Sequence, residues 1–172
     1  MFRWVILLIS ILVISIFISC NDTTTPASDA VLMEKNELSK TVGYTWFNSL
    51  WNFYEPNDSV KNLISTAFDS TKHKFIVFLE PDCDCKELVR EPAYVVKILD
   101  VANISSKYYE LYATGSTTSN HPYKSVFTLS SLPFVALITS NNKVYSVLDS
   151  FNYWKDRRII RLEDIVLEAL EK

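Results

Sequence analysis

From Phe75 to Leu79 the chain reads Phe-Ile-Val-Phe-Leu, apolar at every position and rich in strand formers. A strand with one wet face alternates polar and apolar residues, whereas a run with no polar position reads as a strand buried on both faces. This run therefore predicts the centre of a sheet with material packed on each side. The neighbouring segments alternate in type. Ahead of it, Val60, Leu63, Ile64, Ala67 and Phe68 recur at helical spacing after Asp58, which reads as an N-cap. Behind it, a helix is expected from Cys83 through Leu88, Val89, Val95, Val96, Ile98 and Leu99, kinked at Pro92. Lys107 to Ala113 reads as a second strand, and a short helix is expected near Tyr123 to Leu129. Phe134 to Thr139 and Lys143 to Asp149 read as a hairpin about the turn Ser140-Asn-Asn142. Leu162, Ile165, Val166, Ala169 and Leu170 form one stripe of a C-terminal helix, with Glu163, Glu168 and Glu171 outside it. Tyr44 to Phe53 fits either an edge strand or a helix. The alternation predicts an α/β sandwich with a central mixed β-sheet flanked by helices.

The N-terminus reads as an address. Arg3 precedes an apolar run from Trp4 to Ile18, shorter than the roughly 20 residues a spanning helix needs, and Ser19-Cys20 follows. Phe17-Ile-Ser-Cys20 resembles a bacterial lipobox, in which Cys20 is lipidated and becomes the mature N-terminus; Phe17 stands where Leu is usual. The alternative is an uncleaved anchor helix. Both put the rest of the chain outside the cytoplasm on a membrane, in the cell envelope with the periplasmic side expected. The polar stretch after Cys20 has no apolar period and reads as a tether. The expected division is a signal peptide over 1–19, a lipidated Cys and flexible tether over 20–42, and a folded domain over 43–172.

Composition closes off several functions. The 172 residues carry 17 Lys and Arg against 20 Asp and Glu, a net charge of −3, so the basic footprint of a nucleic-acid binder is absent. Two glycines, Gly43 and Gly115, cannot build a Gly-rich phosphate loop or a dinucleotide fingerprint. Three cysteines are too few for a disulfide scaffold. Two histidines offer little for hydrolytic catalysis.

The chemistry concentrates in Phe78-Leu-Glu-Pro-Asp-Cys83-Asp-Cys85-Lys86, where the apolar strand hands over to a helix. An apolar strand, a cysteine pair with Lys, a long helix, then Leu132-Pro133 before a β-hairpin and a final amphipathic helix resembles the thioredoxin superfamily over roughly residues 58–172. The resemblance implies a thioredoxin-like sandwich doing thiol–disulfide chemistry, with Pro133 cis and facing the pair, and no cofactor. Cys83 and Cys85 are then the catalytic thiols, with Cys83 attacking and Cys85 resolving, and Leu132 and Pro133 the substrate-binding backbone. The partners implied are protein thiols and disulfides of the envelope. An oxidoreductase or isomerase follows.

Three features depart from that family. Its cysteines are spaced C-x-x-C, whereas only Asp84 separates these two, and residues i and i+2 do not share a helix face. Cys83 can bond Cys85 only from ahead of the helix proper, in a strained and easily reduced disulfide. Glu80, Asp82, Asp84 and Glu87 outnumber Lys86 and Arg90, and carboxylates raise a thiol pKa while a helix N-terminus lowers it. Val77 stands where the family often has a buried acid; Glu80 is the substitute.

Two other readings stand beside this one. Two thiolates select copper(I) or zinc, so a metal carrier would use Cys83 and Cys85 with His121. A structural pair would leave an inert interaction module. His73, between Lys72 and Lys74, and His121, in a polar loop, read as surface residues. Arg157-Arg158 reads as a solvated turn heading the last helix. Tyr44, Trp46, Phe47, Trp51, Phe53 and Tyr54 read as core packing, with a peptide-binding surface as the alternative.

Overall fold

The computed structural model describes residues 29–81 and 90–172. The segment read as a signal peptide and Cys20 lie outside them, as do Cys83 and Cys85. The elements are β1 (Val31–Met33), α1 (Lys35–Leu38), α2 (Trp46–Phe53), α3 (Asp58–Ala67), β2 (His73–Leu79), α4 (Glu91–Val101), β3 (Tyr109–Ala113), β4 (Phe134–Thr139), β5 (Val144–Ser146), α5 (Val147–Lys155) and α6 (Leu162–Leu170). They make an α/β fold around one mixed sheet, in the order β1-β3-β2-β4-β5. β2 and β3 run parallel, joined through α4, and every other neighbouring pair is antiparallel.

β2 lies third of five strands, and Phe75 to Leu79 are all fully buried. Its alternate residues feed two cores. Phe75, Val77 and Leu79 join Leu111, Val135 and Leu137 on one face, under Phe47 of α2, Ile64 of α3, Val95, Ile98 and Leu99 of α4, and Ile165 and Val166 of α6. Each such side chain withdrawn from water contributes about 1.5–3 kcal/mol before ordering costs. Ile76 and Phe78 join Tyr112, Phe134, Ala136 and Ile138 on the other face. There the cover among the described residues is the irregular segment 114–133, through Tyr123, Phe127, Leu129 and Leu132. The helices therefore pack on one face and a loop on the other.

Local chemistry sets the boundaries. Asn57, not Asp58, caps α3: its side-chain oxygen accepts from the Ser59 and Val60 N–H groups. Pro92 falls in the first turn of α4, where a missing N–H leaves no broken bond, rather than kinking its interior. α4 stops at Asn103, which takes φ 61°. The Ile104 N–H then reaches back to the Leu99 carbonyl at 3.0 Å, with both side chains buried.

The hairpin is shorter than expected. β5 ends at Ser146, whose hydroxyl accepts from the Asp149 N–H and starts α5. Tyr123 to Leu129 forms turns rather than a helix. Tyr44 to Phe53 resolves as α2, with Phe53 75% exposed at its end. Within the stretch read as a tether, Val31–Met33 pairs with β3 and Leu38 is fully buried. Glu163, expected on the solvent side of the C-terminal helix, outside its apolar stripe, is 3% exposed. No helix among the described residues is long and apolar enough to cross a membrane.

The register fixes which parts share an end. Val31 lies opposite Ala113, and Leu79 and Ala113 are partners, so the chain joins the sheet at the C-terminal end of β2. Phe134 lies opposite Phe78, so β4 starts at that end too. α6 also begins there, because the Glu163 carboxylate accepts from the Asn57 N–H at the head of α3, while α3 leads down to the start of β2.

Candidate functional site

The site is the C-terminal end of β2 and what the fold gathers around it. After Leu79, Glu80 and Pro81 lead into the segment that carries Cys83 and Cys85, and both thiols lie outside the described residues. The Leu79 carbonyl accepts from the Thr114 N–H at 3.0 Å, which holds the exit of β3 beside that of β2. On the other side the Leu132–Pro133 peptide is cis, as the thioredoxin resemblance implies. Both residues are half-buried, Leu132 against the loop-side core. The Phe78–Phe134 register sets Pro133 next to the end of β2. Val77 is fully buried with no acid in its place. From the helical side Tyr44 reaches the same end: burial first, then the charge of Glu80, pushes its phenol above the usual range, against a lowering hydrogen bond with the Thr114 backbone.

His121 departs most from its expected place. It is 7% exposed rather than a surface loop residue. Its ring stands edge-on to Phe78 at 4.9 Å and lies 5.4 Å from Phe127. The Nδ1 atom is buried with no hydrogen-bond partner. Burial, and then the charge of Lys124, pushes its pKa below 6.5, which disfavours the charged imidazolium. Nothing periodic in the loop announces this, because the loop must fold back on the sheet before Phe78, 43 positions earlier, and Phe127 can cover it. Next to it, Thr114 donates to the Ser119 hydroxyl at 2.6 Å, and both are buried.

His73 sits at the other end of β2, opposite Thr139, and is brought nowhere near His121. It is half-buried, not solvated: its Nδ1 accepts from the Asp69 N–H at 3.1 Å. No cluster of three or more His, Cys, Asp or Glu side chains able to hold a metal occurs among the described residues.

Two polar networks, neither visible in the sequence, brace the structure, one toward the start of β2 and one at its C-terminal end. Glu110 accepts from Lys74 at 2.5 Å, Tyr112 at 2.8 Å and Tyr123 at 2.6 Å, pinning the loop to the sheet. Glu163 accepts from Tyr54 at 2.8 Å and from the Asn57 N–H at 2.9 Å. Tyr54 stacks on Tyr94 of α4 at 4.2 Å, and these residues line a cleft of about 490 Å³ with Glu91, Ile160 and Arg161. Burial and the Glu163 hydrogen bond drive the Tyr54 phenol far above its ordinary range. Of the aromatic group expected in the core, Tyr44 and Phe47 are buried, and Trp46, Trp51 and Tyr54 pack against it half-buried, with Trp51 also donating to Asp100 at 2.9 Å.

Neither a protein-family model, nor a curated protein, nor a solved structure matches the chain.

Proposed function

We propose that this is an extracytoplasmic, membrane-anchored thiol–disulfide exchange protein with a thioredoxin-like domain, held to its membrane through lipidated Cys20. The Cys83 thiolate attacks a partner disulfide, forming a mixed disulfide and releasing one partner thiolate. Cys85 then attacks the Cys83 sulfur, releases the second partner thiol and leaves the pair oxidised and the partner reduced; the reverse direction oxidises a partner dithiol. Pro133 presents backbone to the partner chain.

The observation that carries this reading is the shared end of the sheet. β2, which leads to the cysteine segment, is flanked there by Ala113 on one side and by the cis Leu132–Pro133 peptide ahead of β4 on the other. A parallel strand–helix–strand unit with an antiparallel hairpin beside it is the layout that the resemblance implies.

The test is the reduction potential of the Cys83–Cys85 pair in the full chain. A reversible couple in the span of about −120 to −270 mV supports exchange, and a value below about −300 mV makes the pair a structural disulfide. Cys83→Ser abolishes exchange and Cys85→Ser traps mixed disulfides; full activity in both variants overturns the assignment.

One observation favours a second reading, a copper(I) or zinc carrier. The unpartnered Nδ1 of His121 packs against Phe78, one residue from the end of β2. Metal titration of the reduced chain, with and without His121→Phe, separates the two readings: a carrier loses affinity in the variant and an exchange protein does not.

A further inference from the structure

The turn between α5 and α6 carries Tyr153-Trp-Lys-Asp-Arg-Arg-Ile-Ile-Arg161, four cations against the single carboxylate of Asp156 in a chain whose net charge is −3. The folded chain leaves this group on the outside. Lys155, Arg157, Arg158 and Arg161 are exposed, and Ile159 between them is 104% exposed, the most open of the large apolar side chains. Tyr153 beside it is 53% exposed. The guanidinium of Arg157 stands 4.0 Å from the Tyr153 ring centre and that of Arg158 4.2 Å from Trp154, so both cations are held over aromatic faces rather than trailing in water. One ion pair leads away from the turn, Arg158 to Glu168 at 3.7 Å.

We propose that this turn is a membrane-contact surface for anionic phospholipid. A fully exposed isoleucine with an exposed tyrosine ring and flanking cations fits the boundary of a bilayer, where apolar tips enter the headgroup layer and Lys and Arg meet the lipid phosphates. The way the chain joins the domain supplies the second argument. Residues 1–28 precede the described part, and Ala30 donates to the Asn120 carbonyl at the C-terminal end of β2 and β3. The turn leads into α6 at that same end, beside Asn57 and the cleft that Glu91 lines. The point where the chain enters the sheet, at Ala30, and the cationic turn therefore lie at one end of the sheet, and contact through the turn brings the C-terminal end of β2 to the membrane side. The contact is peripheral, and it is independent of whether the thiol pair turns over.

The test uses the full chain with vesicles of phosphatidylcholine, alone or mixed with phosphatidylglycerol, and reads hydrogen exchange in the peptide covering 153–161. The expected result is protection on the anionic vesicles only. It falls about tenfold in Arg157→Gln/Arg158→Gln, is lost in Ile159→Asp and is weakened by salt. Equal exchange on both vesicle types, or no change in either variant, overturns the proposal, as does protection that appears only when an acidic protein is added. A chain that fails to remain with neutral vesicles counts against the N-terminal address, and its behaviour on anionic vesicles still decides the turn.

Discussion

Tyr123 donates a 2.6 Å hydrogen bond to Glu110, the residue of β3 that lies opposite Ile76 of β2. That one contact ties the irregular cover of the loop-side core to the sheet it covers. Burial pushes the Glu110 carboxyl up, but hydrogen bonds from Lys74, Tyr123 and Tyr112 outweigh it and leave the pKa below the ordinary value of 4.5. A carboxylate depressed in the fold adds stability above its unfolded value and loses it as pH falls through the folded one. Tyr123→Phe is expected to cost about 1–2 kcal/mol at neutral pH and to shrink this acid-side loss, read by urea unfolding along a pH series.

Glu163 braces three helices from a buried position. In Glu163→Leu the Tyr54 hydroxyl and the Asn57 N–H both lose their acceptor. A cost of about 2–4 kcal/mol is expected, whereas Glu163→Gln keeps an acceptor oxygen and recovers part of it. Chemical denaturation of the two variants checks the order; equal stability of Glu163→Leu and the parent sinks the account.

His121 and His73 predict a second pH dependence. Burial lowers both below 6.5, with Lys124 adding to the shift at His121; at His73, Asp69 opposes it and Lys72 adds to it. Unfolded histidine then binds a proton that the folded form refuses, so stability is full above about pH 6.5 and falls as pH drops below it, until the folded pKa is reached. His121→Phe removes part of this fall and leaves the His73 share, which thermal melts across that range will resolve.

Asp100 joins four elements: it accepts from Lys35 of α1 at 2.5 Å, Trp51 of α2 at 2.9 Å and Tyr109 of β3 at 2.7 Å. Asp100→Ala leaves the indole N–H and the phenol without an acceptor, and a loss of about 2–3 kcal/mol is expected. Hydrogen exchange is expected to rise at 31–38 before the rest of the sheet.

The sequence displays elements whose pattern is local. Phe134 to Thr139 was bounded correctly because Pro133 and the Ser140-Asn-Asn142 turn punctuate an apolar run. Val147 and Leu148 suit either period and read as a continuation of β5; Ser146 as a cap decides for helix. Val31–Met33 is too short to show a period, and its strand exists only because β3 offers an edge. Glu163 looks like a solvated helix residue until Tyr54 and Asn57, more than a hundred positions earlier, arrive beside it. The candidate site divides the same way: cysteines and Pro133 stand out as residue types, while the burial of His121 depends on the loop laying it and Phe127 over Phe78 on one face of the sheet.

β1 carries a mechanical consequence. It is a three-residue edge strand, and the first backbone bond ahead of it runs from Ala30 to Asn120, the neighbour of His121. Tension on the N-terminal segment is delivered first to that bond and then, rung by rung, to the β1–β3 ladder, while β2, β4 and β5 stay outside the line of load. A pull on the chain ahead of β1 thus strains the loop over Phe78 before it reaches the central sheet.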